Sequence, residues 1–181
     1  LALFSQADAR VALGKCDVPV LAQNVNLSDF MGRWYEVLRE STMLAELSQD
    51  CVTVDYVQTS DVTFKVTNSG STDLAAPDGK RTVAGGVATC PLTGNVTCDL
   101  KFNFLPFKNA HAYNVIDTDY TSYTIVYGCT DYLWGLFHSP VVWILTRQPF
   151  MTDAQRQARY ATISQQLPSY NWLWFERQHQ G

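Results

Sequence analysis

The sequence is poor in charged residues and in histidine. Only 17% of its 181 residues are Asp, Glu, Lys or Arg, the formal net charge is −4, and three His are present. A chain with so little positive charge offers no basic surface for nucleic acid or for an anionic membrane. No Cys-x-x-Cys pair accompanies the few His, so the spacing typical of a zinc site is absent. We therefore expect neither a nucleic-acid partner nor a metal.

Long apolar runs and catalytic patterns are also missing. No apolar stretch reaches the roughly 18 residues that a membrane-spanning helix requires, so the sequence predicts no membrane span. Neither paired carboxylates at strand ends nor a Ser/His/Asp arrangement stands out. This absence favours binding without chemistry, and we expect a protein that is not an enzyme.

The chain is rich in apolar residues, which make up 46% of it, and in aromatic residues, which make up 13%. At this length that composition predicts one domain with a full core. Residues 1–15 are expected to form an N-terminal extension and residues 16–181 the folded domain. The first nine residues resemble the end of a signal peptide, but a mature extension is the preferred interpretation.

Cysteine usage indicates an oxidising environment. Five Cys are present, an odd number, which leaves one thiol over or paired outside the chain. Cys90 and Cys98 lie at the two ends of a hairpin loop, and a disulfide between them is sterically reasonable. Two sequons predict glycosylation at Asn26 and Asn95. Together these features predict a secreted, extracellular protein.

Most of the chain has the alternation of β-strands. Eight segments, joined mostly by short turns without intervening helices, follow this pattern: 32–39, 51–57, 62–68, 80–89, 99–104, 110–116, 123–129 and 140–147. Regular short strands with turn signals predict an antiparallel sandwich or barrel. Gly85 and Gly86 lie inside one of these strands and predict a bulge or sharp bend. In the first strand, alternation places Trp34 on one face and Arg39 on the other.

One helix is predicted, near the C-terminus. Thr152 and Gln155 form a capping-box pattern, and a semi-apolar helical face continues to Pro168. Residues 170–175 then predict a short ninth strand. A short turn or a single helical turn is also predicted over residues 26–31, before Gly32.

Three motifs in order along the chain carry a family resemblance. They are Gly32-Arg33-Trp34-Tyr35-Glu36 at the first strand, Thr118-Asp119-Tyr120 at a turn, and Arg147 at the end of the eighth strand. With them the chain resembles the lipocalins. The resemblance implies an all-β fold: an eight-stranded antiparallel up-and-down β-barrel, with one C-terminal α-helix packed outside and a short ninth strand. It also implies that Arg147 lies across Trp34 at the closed end of the barrel.

Within the family the chain is similar to the subgroup of apolipoprotein D-like and bilin-binding lipocalins. That likeness implies a disulfide between Cys16 and Cys129. Relatives pair the equivalent of Cys51 with a Cys near the C-terminus, and this chain has none there. Cys51 is therefore a free thiol if Cys90 and Cys98 join each other.

The barrel interior is the expected binding site, because eight strands leave room for one small ligand. The candidate contacts are aromatic residues on alternating positions together with two polar residues: Tyr56, Phe64, Phe102, Phe104, Tyr113, Tyr127, Trp143, Asn68 and His138. The family likeness implies lining roles for Tyr56 and Asn68 in particular, and the parity shared with Arg147 points Trp143 inward. Simple packing is the alternative for each, and for His138 it is the ordinary interpretation.

Three classes of function fit this sequence. The first is a secreted carrier of a small hydrophobic ligand, a bilin or a carotenoid, with a colourless lipid, steroid or retinoid as the alternative. The second is a lipocalin-type isomerase that uses Cys51. The third is a homo-oligomer built through Cys51 or exposed apolar residues. Residues that would form a lid or such a contact are Met43, Leu44, Leu47, Tyr132, Trp134, Trp172, Trp174 and Phe175.

Overall fold

The computed structural model describes residues 11–23, 26–40, 49–71, 81–91, 94, 96–103, 111–170 and 175–177. Its strands are β1 (Ala12–Leu13), β2 (Gly32–Glu40), β3 (Asp50–Gln58), β4 (Thr63–Ser71), β5 (Arg81–Thr89), β6 (Thr97–Phe102), β7 (His111–Thr118), β8 (Tyr123–Tyr132), β9 (Phe137–Thr146) and β10 (Phe175–Arg177). The helices are α1 (Leu27–Phe30) and α2 (Asp153–Gln166), with a 3₁₀ turn at Leu133–Gly135. Neither α1 nor α2 has the length and hydrophobicity that would let it cross a membrane, and the described residues contain no other α-helix.

Strands β2 to β9 form the predicted barrel. Each pairs antiparallel with the next along the chain, and β9 also pairs with β2, so the sheet closes on itself. Two short strands extend it, because β1 pairs with β9 and β10 pairs with β2. The eight-stranded antiparallel barrel and the extra C-terminal strand are thus confirmed, while β1 was not predicted.

The two ends of the barrel differ. The β3–β4, β5–β6 and β7–β8 connections lie at the end where β2 begins, which we call the closed end. Strands β2, β4, β6 and β8 finish at the other end, which we call the open end. Of its connections, the structure describes the β8–β9 turn, which contains Leu133–Gly135.

Alternating residues of the strands form two separate cores. The inner core fills the barrel and includes Trp34, Val54, Tyr56, Phe64, Val66, Leu100, Tyr113, Val115, Val126 and Leu145. The outer core lies between the barrel wall and α2 and includes Val37, Leu38, Ile116, Ile125, Tyr127, Val142, Ile144, Ile163 and Leu167. The period of two along each strand gives one face to each core.

Helix α2 has the predicted start. The side chain of Thr152 accepts a hydrogen bond from the backbone N–H of Gln155, whose side chain bonds back to the cap residue. This reciprocal pair is the predicted capping box, which is confirmed. The helix is held to the barrel by Ile163 in the outer core and by the Arg159 guanidinium, which lies 3.5 Å from the centroid of the Tyr123 ring.

Of the bulge or sharp bend predicted at Gly85 and Gly86, the bulge is not found. The β4–β5 ladder runs from Thr63 opposite Thr89 to Ser71 opposite Arg81 without a register shift. Gly86 instead permits close approach, because a Cβ there would lie 2.7 Å from the carbonyl oxygen of Lys101. The register shifts of the barrel occur in the ladders that β2, β3 and β7 make with β9, β4 and β8.

The shift in β2 changes which residues face the interior. Glu36 lies opposite Leu145 of the inner core, but after the irregularity Leu38 lies opposite Ile144 of the outer core. Arg39 then lies opposite Trp143. The predicted alternation, which put Leu38 with Trp34 and Arg39 on the opposite face, therefore holds only up to the bulge.

Arg147 holds the closed end together. Its guanidinium lies 3.6 Å from the centroid of the Trp34 ring, as the family resemblance implies. It also donates to four backbone carbonyls, those of Asp29, Met31, Arg33 and Tyr120. Gly32 lies beside it with φ +92°, and a Cβ on Gly32 would approach Nη1 of Arg147 to 3.4 Å. One side chain thus joins α1, β2 and the β7–β8 turn.

Asp119 stabilises the β7–β8 turn. Its carboxylate accepts hydrogen bonds from the backbone N–H groups of Thr121, Ser122 and Tyr123. Burial raises the pKa of Asp119, but these bonds and the bond from the Ser122 hydroxyl outweigh burial, so the pKa lies below its ordinary value of 3.8. The turn is therefore held by a group that is ionised at neutral pH.

Arg147→Met should lower the free energy of unfolding by about 2 to 4 kcal/mol, because it removes a cation–π contact and hydrogen bonds from a charged donor. Urea denaturation measures the change. The control is Arg33→Met, which removes an exposed ion pair to Asp55 and should change stability little. Equal effects of the two substitutions would contradict the central role of Arg147.

Asp119→Asn should make the free energy of unfolding less sensitive to a fall in pH. A carboxylate whose pKa is lower in the folded chain contributes stability that is complete above its unfolded pKa and lost as the pH falls through the folded pKa. Wild type should therefore lose more stability than Asp119→Asn between about pH 5 and pH 2. Thermal unfolding across this range tests it, with Asp61→Asn at an exposed turn as the control for loss of one charge.

Candidate functional site

Aromatic rings form the floor of the barrel interior at the closed end. The Phe30 ring stacks on Tyr56 at 5.4 Å between centroids and lies 5.5 Å from Trp34. Tyr56 in turn meets the edge of Phe64 at 5.1 Å. The Trp34 indole N–H donates to the carbonyl of Phe30, so the ring that Arg147 covers is also held by a hydrogen bond. These offset and edge contacts are the arrangements that aromatic pairs favour.

A pair of tyrosine hydroxyls lies inside this floor. The oxygens of Tyr56 and Tyr113 are 2.7 Å apart, and both side chains are buried. Burial raises the pKa of both hydroxyls above the ordinary value of 10.0, so both are neutral across the physiological range. One hydroxyl donates to the other, which satisfies two polar groups in an otherwise apolar place.

Three predicted contacts lie further from the floor. Asn68, Phe102 and Trp143 are half-buried, and Phe102 and Trp143 pack against the inner core. The side-chain oxygen of Asn68 is buried and accepts no hydrogen bond from the described residues. A buried acceptor without a donor costs about 1 to 3 kcal/mol.

The sequence interpretation missed an ion pair in the interior. Nη1 of Arg39 lies 3.1 Å from Oε1 of Glu36, and the two residues are 4% and 1% exposed. Nη2 of Arg39 donates to the carbonyl of Gln49, just before β3. No signal in the sequence announces the pair, because alternation alone separates the two side chains onto opposite faces and the bulge brings them together.

Two predicted contacts lie outside the barrel. Tyr127 belongs to the outer core with Ile125, since alternation along β8 turns Val126 inward. His138 is buried where β1 pairs with β9, and its Nδ1 lies 2.9 Å from the carbonyl oxygen of Gly14. Tyr127 therefore packs against the helix side and His138 anchors the N-terminal segment. Neither belongs to the interior lining.

The remaining candidates fall into three groups. Phe104, Asn95, Met43, Leu44, Leu47, Trp172 and Trp174 lie outside the described residues, as does the side chain of Phe175. Trp134 is described and is 96% exposed, in the turn after β8 that also exposes Tyr132. Asn26 caps α1, because its side-chain oxygen accepts from the Ser28 N–H and its amide donates to Asp29.

The structure contains two disulfides. Cys16–Cys129 joins the N-terminal segment to β8, with an S–S distance of 2.03 Å. Cys90–Cys98 crosses the β5–β6 turn, and both of its sulfurs belong to the inner core at the closed end. Cys51, at the start of β3 near the open end, has a free thiol. Among the described residues, no three His, Cys, Asp or Glu side chains are grouped as metal ligands would be.

The arrangement of barrel, floor and covering Arg matches a known family. The family model described as a lipocalin-like domain matches residues 25–179, which is most of the sequence. The chain belongs to the lipocalin family. This membership agrees with the three motifs on which the resemblance rested, and two of those motifs meet at the contact between Arg147 and Trp34.

Relatives support the same assignment, and solved structures share the fold. Apolipoprotein D of Mus musculus is 32% identical over 141 residues, which cover 77% of this chain and 69% of the relative. Apolipoprotein D of Bos taurus is 33% identical over 150 residues, covering 82% and 75%. In fold, the chain is similar to lobster apocrustacyanin A1 (TM-score 0.77, 23% identity, 94% and 91% covered) and to insecticyanin of Manduca sexta (TM-score 0.73, 19% identity, 93% and 87% covered).

Tyr56→Phe and Tyr113→Phe should each destabilise this lipocalin by about 1 to 3 kcal/mol, because each leaves the other hydroxyl buried without a partner. The double substitution should cost less than the sum of the two, since it removes both polar groups at once. Urea denaturation of the three variants measures the coupling, and Tyr132→Phe at an exposed position is the control. Strict additivity would show that the hydroxyls do not depend on each other.

Proposed function

We propose that this lipocalin is a secreted binding protein, not an enzyme, and that it holds one small hydrophobic ligand inside the barrel. We further propose that the ligand is a pigment, a bilin or a carotenoid, which the protein carries or sequesters. The observation that carries the proposal is the composition of the inner face. Apolar and aromatic side chains cover it, and a few polar atoms are placed among them.

The half-buried aromatic residues favour a planar, conjugated molecule. Phe102 and Trp143 pack against the inner core and are half-buried. Aromatic faces contact flat π-systems over a large area. A bilin or the end ring of a carotenoid offers such a flat face. A saturated lipid chain has no flat π-system and makes apolar contacts only.

Asn68 adds a second preference. Its side-chain oxygen needs a hydrogen-bond donor, and the described residues supply none. Pyrrole N–H groups of a bilin and hydroxyl groups of a carotenoid, steroid or retinoid are donors, but an ionised fatty acid is not. The amide therefore favours ligands that carry an N–H or O–H group.

The disulfides support an extracellular location. Cys16–Cys129 ties the N-terminal segment to the wall, and Cys90–Cys98 closes a turn in the floor. Disulfides of this structural kind persist in oxidising compartments, which is where a carrier of hydrophobic molecules between cells acts.

The protein isolated from its natural source without organic solvent should show a visible absorption band that disappears on denaturation. The band arises because a conjugated ligand is held in the barrel, and extraction should recover the coloured molecule. A colourless protein would overturn the pigment proposal, and mass spectrometry of the extract would then identify a lipid, steroid or retinoid.

Asn68→Leu should weaken binding of the extracted ligand about tenfold, because one hydrogen bond to a buried amide is lost. Titration of the unliganded protein, followed by quenching of tryptophan fluorescence, measures the change. The control is Asn103→Leu, which replaces an exposed amide at the end of β6. Unchanged affinity for Asn68→Leu would remove Asn68 from the site.

A further inference from the structure

Exposed apolar side chains are grouped around the β8–β9 turn at the open end. Leu13 of β1 lies opposite Phe137 of β9, and the Gly14 N–H donates to the carbonyl of Leu136. Tyr132 of β8 also lies opposite Phe137. The large apolar residues exposed in these adjoining segments, which we call the open-end patch, are Leu13, Tyr132, Leu133, Trp134 and Leu136. Grouped exposed apolar residues mark a binding surface, whereas single ones are ordinary.

Two residues of the turn have a backbone conformation that disfavours side chains. Leu133 has φ +48° and Trp134 has φ +59°, in the left-handed region that residues other than glycine seldom adopt. This conformation costs free energy at each residue. The two side chains are 61% and 96% exposed, so their own burial within the chain does not offset that cost. Burial of the same side chains against a partner would offset it.

The turn is supported from behind by the N-terminal segment. The side chain of Lys15 lies against Gly135, since a Cβ on Gly135 would come within 2.5 Å of Cγ of Lys15. The next residue, Cys16, is joined to β8 by the disulfide to Cys129. Trp134 therefore projects from a turn that is already fixed, and a partner that binds it need not order the backbone.

Two side chains of opposite charge lie beside the patch. Lys15 and Asp131 are both exposed, and neither makes an ion pair with another residue that the structure describes. Oδ1 of Asp131 accepts from the Cys16 N–H at 2.8 Å, which places this carboxylate close to the backbone of Lys15. In a two-fold interface, residue i of one copy contacts residue j of the other, and j contacts i. Lys15 of each copy can thus face Asp131 of the other, so this surface contains its own electrostatic complement.

The residue types of the patch also favour a protein partner. Tryptophan and tyrosine are the side chains that most often dominate protein interfaces. One buried aromatic side chain contributes about 150 to 250 Å², against about 800 Å² for one side of a standard interface. A lipid surface is less suitable, because Lys15 and Asp131 together give no net attraction to anionic headgroups and insertion would desolvate the carboxylate.

We propose that this chain forms a two-fold symmetric homodimer through the open-end patch. Trp134 of each copy is buried in the interface, and Lys15 of each copy pairs with Asp131 of the other. The proposal does not depend on which ligand occupies the barrel. It also differs from a dimer linked through the thiol of Cys51, because no covalent bond is involved.

Sedimentation equilibrium of the unliganded full chain at neutral pH, from about 1 to 200 µM, tests the proposal. The average mass should rise with concentration from that of one chain towards twice that value. Cys51→Ser should associate as the wild type does, because the thiol has no part in the contact. A wild type that stays monomeric throughout this range would overturn the proposal.

Trp134→Asn is the decisive single substitution. Asparagine tolerates the left-handed conformation, so the turn is kept while the apolar side chain is removed. Self-association should weaken at least about thirtyfold, as expected for a central interface residue. The matched control is Phe150→Asn, which removes another exposed aromatic side chain far along the chain and should leave the association unchanged.

Charge reversal tests the symmetry of the interface. Lys15→Glu and Asp131→Lys each place like charges at both contacts, so each variant alone should self-associate about tenfold more weakly at low salt. An equimolar mixture of the two variants restores both opposite-charge contacts, and it should form a heterodimer with about the affinity of the wild-type homodimer. Thermal unfolding establishes that the Asp131→Lys chain remains folded without its bond to Cys16.

The other outcomes contradict the proposal. A dimer that survives Trp134→Asn unchanged would place the interface elsewhere, and a dimer that is lost in Cys51→Ser would be a disulfide-linked one. Recovery in neither the mixture nor the double variant Lys15→Glu/Asp131→Lys would exclude the reciprocal charge contacts. A monomeric wild type that instead sediments with phosphatidylcholine vesicles, and stops doing so in Trp134→Asn, would show that the patch binds lipid. None of these results bears on ligand binding inside the barrel, so the proposed function would stand.

Discussion

The fold depends most on the contact between the Arg147 guanidinium and the Trp34 ring. Around it, four backbone carbonyls from α1, from β2 and from the β7–β8 turn accept hydrogen bonds from one side chain. A guanidinium suits this position because its donors spread in a plane while its face covers an aromatic ring. The contact joins segments more than a hundred residues apart and closes one end, so a ligand space can face only the other.

Above that end, the interior combines apolar area with a small number of polar groups in different states. The hydroxyls of Tyr56 and Tyr113 satisfy each other, and Asn68 has a buried oxygen that accepts no bond from the described residues. Glu36 and Arg39 form a buried ion pair. The interior therefore contains polar groups of three kinds within an apolar lining.

Much of the fold was predictable, because its causes are local. Strand alternation, turn residues and the capping box at Thr152 each involve neighbours in sequence, and each was found close to its predicted place. The inward direction of Trp143 was also predictable from its alternation with Arg147, since no irregularity separates the two residues. The pairing of β1 with β9 did not follow, because two residues carry no periodic pattern and depend on a partner more than 120 residues away.

The sequence by itself determined the fold class, the motif residues of the closed end and the aromatic character of the interior. Only the tertiary structure decided which faces Arg39 and Tyr127 occupy. Successive side chains of a strand point to opposite faces, so one irregular residue reverses the face of every residue beyond it. Arg39 therefore lies inside although alternation placed it outside. Tyr127 faces the outer core because the cross-strand partners of β8, which the sequence does not specify, set its direction.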